Sequence, residues 1–108
     1  MTELRRLPFK FRIQADYGGC YIWTDSGGAS LDIFNISDNI RQMANNWASN
    51  YFEDEASPAG QSRRDYNQEG LKISQSIKQE LGSDYNIEYR YFENSYSGVI
   101  WKTIIVQP

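Results

Sequence analysis

The side chains in this chain that could move protons are carboxylates, in two groupings. Asp25 and Asp32 flank a Gly27-Gly28 pair, and Glu53, Asp54 and Glu55 are consecutive. Two carboxyls can act as acid and base when their surroundings separate their proton affinities. A consecutive acidic run in a polar stretch is solvated throughout, and nothing in it does that. Histidine is absent, which removes the commonest general base and the commonest zinc ligand. Cys20 is the single cysteine, so there is no Cys-His dyad, no zinc constellation and no intrachain disulfide, and a reducing compartment fits best. The glycine pair lies near Thr24 and Ser26, but P-loop spacing and a loop lysine are missing, and Asp25 would repel a phosphate. The residues nominate no catalytic group, no cofactor site and no metal site.

Recognition is the chemistry that remains. Residues 13–60 carry seven carboxylates against Arg41 alone, a net −6, while residues 1–12 are net +3 and residues 61–108 balance. An acidic middle argues against direct nucleic-acid binding, which needs cations to neutralise phosphates. It suits a basic protein partner, whose approach it would steer. Eight tyrosines add rigid apolar area with a polar tip, a combination enriched in interfaces. The partner-binding candidates are therefore Asp25, Asp32, Asp38, Tyr51, Glu53, Asp54 and Glu55. The competing reading is that the carboxylates are ordinary solvated surface and the tyrosines cap the edges of the core.

These side chains need a scaffold. A chain of 108 residues, 40% of them hydrophobic, forms one domain with a core large enough to fold without disulfides or metal. The N-terminus, MTELRRLPFK, has charges but no apolar run of the secretory kind, and residues 1–7 are expected to be flexible. No stretch is long and apolar enough for a transmembrane helix, so a cytoplasmic protein without membrane contact is expected.

Phe9, Phe11, Ile13 and Ala15 alternate with polar residues, the signature of a half-buried strand. Tyr17-Gly18-Gly19 turns the chain into a second strand, Cys20–Thr24, giving a hairpin. Asp25-Ser26-Gly27-Gly28 is a further turn, followed by a short extended piece over 29–34. From Ile36 to Phe52 the apolar positions Ile36, Ile40, Met43, Ala44, Trp47, Ala48, Tyr51 and Phe52 repeat at three and four. They predict a helix capped by Ser37 and fading near Phe52 or Glu53. Residues 54–61 form the interhelix loop, and Ser62–Leu81 is a second helix with Tyr66, Gly70, Ile73, Ile77 and Leu81 on one face, stopped by Gly82. Gly70 on the buried face predicts close approach by another element, with the Trp47 side of the first helix the candidate. Strands over Tyr85–Phe92 and Val99–Val106 end the chain. The last is apolar on both sides, which predicts a central or doubly covered strand. Strands at both ends of a helical pair imply an α+β fold: an antiparallel sheet of four to five strands with two helices on one face, in the order β-β-(β)-α-α-β-β.

Several of these stretches occur together in a pattern of small bacterial proteins. They are Asp16-Tyr17-Gly18-Gly19 with Trp23 and Asp25, then Leu31 before Ile36-Ser37-Asp38. Trp47 follows, and Glu69-Gly70 precedes Glu80-Leu81-Gly82-Ser83-Asp84-Tyr85. Over residues 15–91 the chain resembles immunity proteins of polymorphic toxin systems, especially those of contact-dependent growth inhibition. The resemblance implies a protein that binds the C-terminal toxin domain of a large secreted effector and blocks its active site. Such toxins are often nucleases. No individual binding residue carries over, because the shared motifs are structural in character. A non-catalytic interaction or regulatory domain without a toxin partner is the alternative, and a small-ligand binder a more distant one.

Overall fold

The computed structural model describes residues 9–17 and 19–107, and the expectation for residues 1–7 lies outside them. The elements run β1 (Lys10–Ile13), β2 (Ile22–Thr24), β3 (Gly27–Ala29), α1 (Asp38–Ser49), α2 (Arg63–Leu81), β4 (Asn86–Ser95) and β5 (Gly98–Ile105), with a single 3-10 turn over Leu31–Ile33. This is the α+β order expected, but the third strand lies over Gly27–Ala29, and a 3-10 turn over Leu31–Ile33 stands in place of the extended piece expected over 29–34. The five strands form one sheet in the spatial order β3-β2-β1-β4-β5.

β1 and β2 pair antiparallel through Arg12↔Trp23 and Ile13↔Ile22, as the alternation predicted. Gly27 and Gly28 are strand rather than turn, pairing with Thr24 and Trp23, so Asp25-Ser26 alone makes the connection. The sheet is mixed. β1 and β4 run parallel, with Phe11 opposite Ile87 and Ile13 opposite Tyr89. The helical pair carries the chain from β3 across the sheet to the free side of β1, where β4 enters in the direction of β1. A long helical crossover of this kind can join parallel neighbours, which a hairpin cannot.

Both helices start where the sequence places a serine cap. The Ser37 hydroxyl accepts from the Ile40 N–H, and the Ser62 hydroxyl from the Asp65 N–H. Ala44, Trp47 and Ala48 of α1 meet Tyr66, Ile73 and Ile77 of α2 over Phe11, Ile13, Ile22, Ile87 and Tyr89 of the sheet. Met43, expected in this stripe, is exposed at the edge of α1. Two reciprocal hydrogen bonds clamp the helices: Trp47 Nε1 donates to the Tyr66 carbonyl at 3.0 Å, and the Tyr66 hydroxyl donates to the Trp47 carbonyl at 2.8 Å. Gly70 sits under this clamp. A Cβ there would overlap the Trp47 indole and the Tyr89 hydroxyl, so the close approach is real and involves both helix and sheet.

β5 is at the edge of the sheet, not in its centre, and its residues are exposed apart from a half-buried Ile104. Apolar side chains on both faces normally mark burial on both faces. Here β1 already occupies the free side of β4, and β5 is left outermost. The β4–β5 ladder continues to Ser95↔Gly98, whereas β1 pairs β4 only as far as Tyr89. The two strands therefore overhang the rest of the sheet.

Candidate functional site

α1 stops at Ser49, earlier than its apolar stripe suggests. The Asn50 N–H bonds back to the Trp47 carbonyl, and the Asn50 side chain donates to the Asn46 carbonyl at 2.9 Å, closing the last turn. Phe52 then turns inward, edge-on to Tyr66 at 5.1 Å between centroids. Glu53, Asp54 and Glu55 consequently stand beyond the helix, exposed in the connection to α2, and escape the macrodipole penalty that an acidic last turn carries.

One buried arginine shapes this connection. Arg63, in the first turn of α2, is 7% exposed. Its Nη2 donates to the Phe52 carbonyl and, at 3.5 Å, to the Asp54 carbonyl, while its own N–H reaches the Glu55 carbonyl at 3.1 Å. The guanidinium lies 4.2 Å from the Phe52 ring centroid and 4.0 Å from that of Phe92 on β4. Among the described residues no carboxylate pairs with it, and burial pulls its pKa down from the ordinary value. Arg63 thus ties the loop backbone to the overhanging β4, with Glu53, Asp54 and Glu55 exposed around it. Sequence reasoning missed this residue. The available signal was a cation in the first turn of a helix, where the dipole disfavours it and a buried partner must compensate.

Tyr51 joins the acidic loop to a second exposed aromatic. Its ring meets Tyr17 edge-on at 4.7 Å, and its hydroxyl donates to Glu53 Oε2 at 3.4 Å. Burial, then the nearby Glu53 and Asp16 carboxylates, push the Tyr51 phenol up to about 12. Tyr17 is largely exposed. Asp16, Tyr17, Tyr51 and Glu53 with the adjoining Asp54 and Glu55 form one acidic and aromatic patch. Beside it a groove of about 510 Å³ opens between the first turns of α2 and β4, lined by Arg63, Arg64, Asn67, Tyr91 and Glu93 among others.

The remaining candidates fall elsewhere. Arg41 holds Asp32 (Nε to Oδ1, 3.0 Å) and Asp38 (Nη1 to Oδ1, 2.6 Å) at the start of α1. At 1.5 Å per residue the 12 residues of α1 separate that cluster from the Tyr51 patch by roughly 18 Å. Asp25 lies exposed in the β2–β3 turn, at the opposite side of the sheet from β5. The seven residues therefore occupy three places: Asp25 alone, Asp32 with Asp38 on Arg41, and Tyr51 with Glu53, Asp54 and Glu55. Among the described residues no group of three or more His, Cys, Asp or Glu side chains is arranged to hold a metal ion.

Exposed charge beside ordered aromatic rings is an arrangement suited to binding a protein partner. The model of the Serratia CdiI immunity protein-like family matches residues 9–92. The chain belongs to that family. No curated protein and no solved structure matches it. The matched span runs from the start of β1 through most of β4 and so includes both helices and the patch between them. Membership makes this CdiI-like chain a non-catalytic immunity protein that neutralises a contact-dependent growth inhibition toxin, its cognate CdiA partner. Among the described residues no helix is long and apolar enough to cross a membrane.

Proposed function

We propose that this chain neutralises a basic nuclease toxin by laying the acidic, aromatic patch of the interhelix loop over its active site, in the cytoplasm. The observation that carries this reading is the arrangement around Arg63. A buried guanidinium holds the Phe52 and Asp54 carbonyls and the Arg63 N–H holds that of Glu55, while the Glu53, Asp54 and Glu55 side chains are exposed, Glu53 accepting from the Tyr51 hydroxyl. A nuclease must present positive charge where it grips phosphate, and a fixed row of carboxylates mimics that ligand. Tyr51 and Tyr17 supply rigid contact area beside the charges. Asp25, Asp32 and Asp38 extend the negative field and act on the rate of encounter more than on the final contact.

Charge reversal tests this. The triple variant Glu53→Lys, Asp54→Lys, Glu55→Lys is mixed with the toxin domain in stopped flow over a range of salt. Association at low salt is expected to slow by ~10- to 100-fold, with its salt dependence flattened. Association rate and salt dependence equal to those of the unaltered chain would remove this surface from the interface.

A further inference from the structure

Among the described residues nothing lies along the outer edge of β5. The direction of its backbone groups follows from one bond and the register. The Val106 N–H donates inward to the Ile87 carbonyl at 2.8 Å, and the β4–β5 pairs keep one unbroken register from Glu88↔Ile105 to Ser95↔Gly98. In an antiparallel ladder alternate residues bond to the same neighbour. Ile100, Lys102 and Ile104 therefore face β4, and Val99, Trp101, Thr103 and Ile105 turn their N–H and C=O groups outward. Proteins ordinarily close such an edge with proline, a bulge or protruding lysines. β5 has no proline and no bulge, and its one lysine, Lys102, is held to Glu93 of β4 at 3.0 Å.

The side chains of the outward-bonding residues share one face of the sheet, where Trp101 packs on Phe92 at 5.1 Å between centroids, and Val99, Trp101 and Ile105 are exposed, Ile105 to 71%. One cation has been brought to this rim. Arg90 reaches from β4 across β5, its Nη1 donating to Thr103 Oγ1 at 3.1 Å and its guanidinium 5.0 Å from the Trp101 ring centroid. Among the described residues it has no carboxylate partner. A guanidinium half-covered by an indole and lacking a counter-charge is matched by an incoming carboxylate.

We infer that the outer edge of β5 receives an extended strand of the partner toxin, which sets apolar side chains against Trp101 and Ile105 and a carboxylate between them against Arg90. The inference rests on the reading of the chain as a toxin binder and adds a second contact to the acidic patch. Strand addition supplies main-chain hydrogen bonds, and alternate side chains supply selectivity. A second copy of this chain fits less well, because residues 98–105 contain no carboxylate to offer Arg90.

The test uses the full chain and the C-terminal toxin domain of its effector. Thr103→Pro removes an outward N–H, a change an edge strand tolerates, together with the hydroxyl that accepts from Arg90, and Thr103→Val, which removes the hydroxyl alone, separates the two losses. Ile105→Lys places charge on an already exposed position and leaves the fold intact. Thr103→Pro and Ile105→Lys are each expected to weaken toxin binding by ~10-fold or more, while Arg90→Gln weakens it by less and flattens its salt dependence. Amide hydrogen exchange on the unaltered chain is expected to show Trp101, Thr103 and Ile105 becoming protected when toxin is added. Toxin binding with unchanged affinity in both edge variants, and with those amides unprotected, overturns the β5 inference and leaves the function standing. An unaltered chain that does not bind the toxin overturns the proposed function and this inference together. A homodimer that Thr103→Pro dissolves without change in toxin affinity shows the occupant to be a second copy and overturns the assignment to the toxin.

Discussion

Replacing Gly70 by Ala sets two effects of similar size against each other. In an exposed helix interior the change stabilises by about 1 kcal/mol. Gly70 is buried, and the added Cβ overlaps two groups that are held from behind. The Tyr89 hydroxyl donates to the Asn67 carbonyl at 2.9 Å, and the Trp47 indole is fixed by its bond to the Tyr66 carbonyl and by stacking on the Tyr66 ring at 5.2 Å between centroids. Neither can retreat without losing a hydrogen bond and leaving its own buried N–H or O–H unpaired, about 1 kcal/mol or more, in addition to ~1–3 kcal/mol for overpacking. Subtracting the propensity gain leaves a net loss of about 1–3 kcal/mol, a large share of the ~5–15 kcal/mol that holds a domain of this size. Urea unfolding followed by far-UV circular dichroism measures it, and a cycle with Tyr89→Phe assigns it. Phenylalanine removes the oxygen the new methyl strikes, so Tyr89→Phe should cost less in the Gly70→Ala background than alone. A Gly70→Ala protein as stable as the original, or more so, would show the helix crossing to be looser than described. Equal Tyr89→Phe costs in both backgrounds would clear the hydroxyl of blame.

Two further outcomes concern the loop and the tyrosines. Arg63→Ala withdraws a guanidinium from between Phe52 and Phe92 and leaves the Phe52 and Asp54 carbonyls unpaired. It should cost ~2–4 kcal/mol and open residues 53–60 to limited proteolysis, with unchanged cleavage counting against Arg63 as the tie between this loop and β4. The phenols of Tyr21 and Tyr51 are pushed up from 10.0 to about 12, first by burial, and those of Tyr66 and Tyr89 are raised further in the same direction. As the pH climbs above 10 the unfolded chain releases these protons while the folded chain keeps them. Stability is therefore complete below that pH and falls as the pH rises toward 12. Urea midpoints measured across that range should decline, and less steeply in Tyr21→Phe; a flat profile would mean that these hydroxyls are more solvated than their burial implies.

Both helices were legible because they announce themselves locally. Ser37 and Ser62 cap them, and periodicity gives the Trp47 and Tyr66 faces. Gly82 ends the second. The hairpin alternation of Phe11 and Ile13 was equally local. The parallel β1–β4 pair was not, because it depends on where the crossover lands and no residue between Thr24 and Arg63 encodes that. β5 misled for a specific reason: Val99, Trp101 and Ile105 have the composition of a covered strand, but among the described residues nothing covers them. At the site the acidic run was visible, while the residue that presents it was not. Arg63 looks like any surface arginine until Phe52 and Phe92 are seen to close on it.

The pairing of β1 with β4 also bears on when the protein can complete its fold. Phe11 waits for Ile87, and Ile13 for Tyr89, across nearly the whole chain. Contacts so distant in sequence must meet their loop-closure entropy before they return any stability, and such topologies fold slowly. During synthesis β1, β2 and β3 emerge with one flank of the sheet open, and the helices have no complete floor to pack on until β4 arrives. The N-terminal strands of a nascent chain thus stay unsealed until nearly all of the sequence has been made.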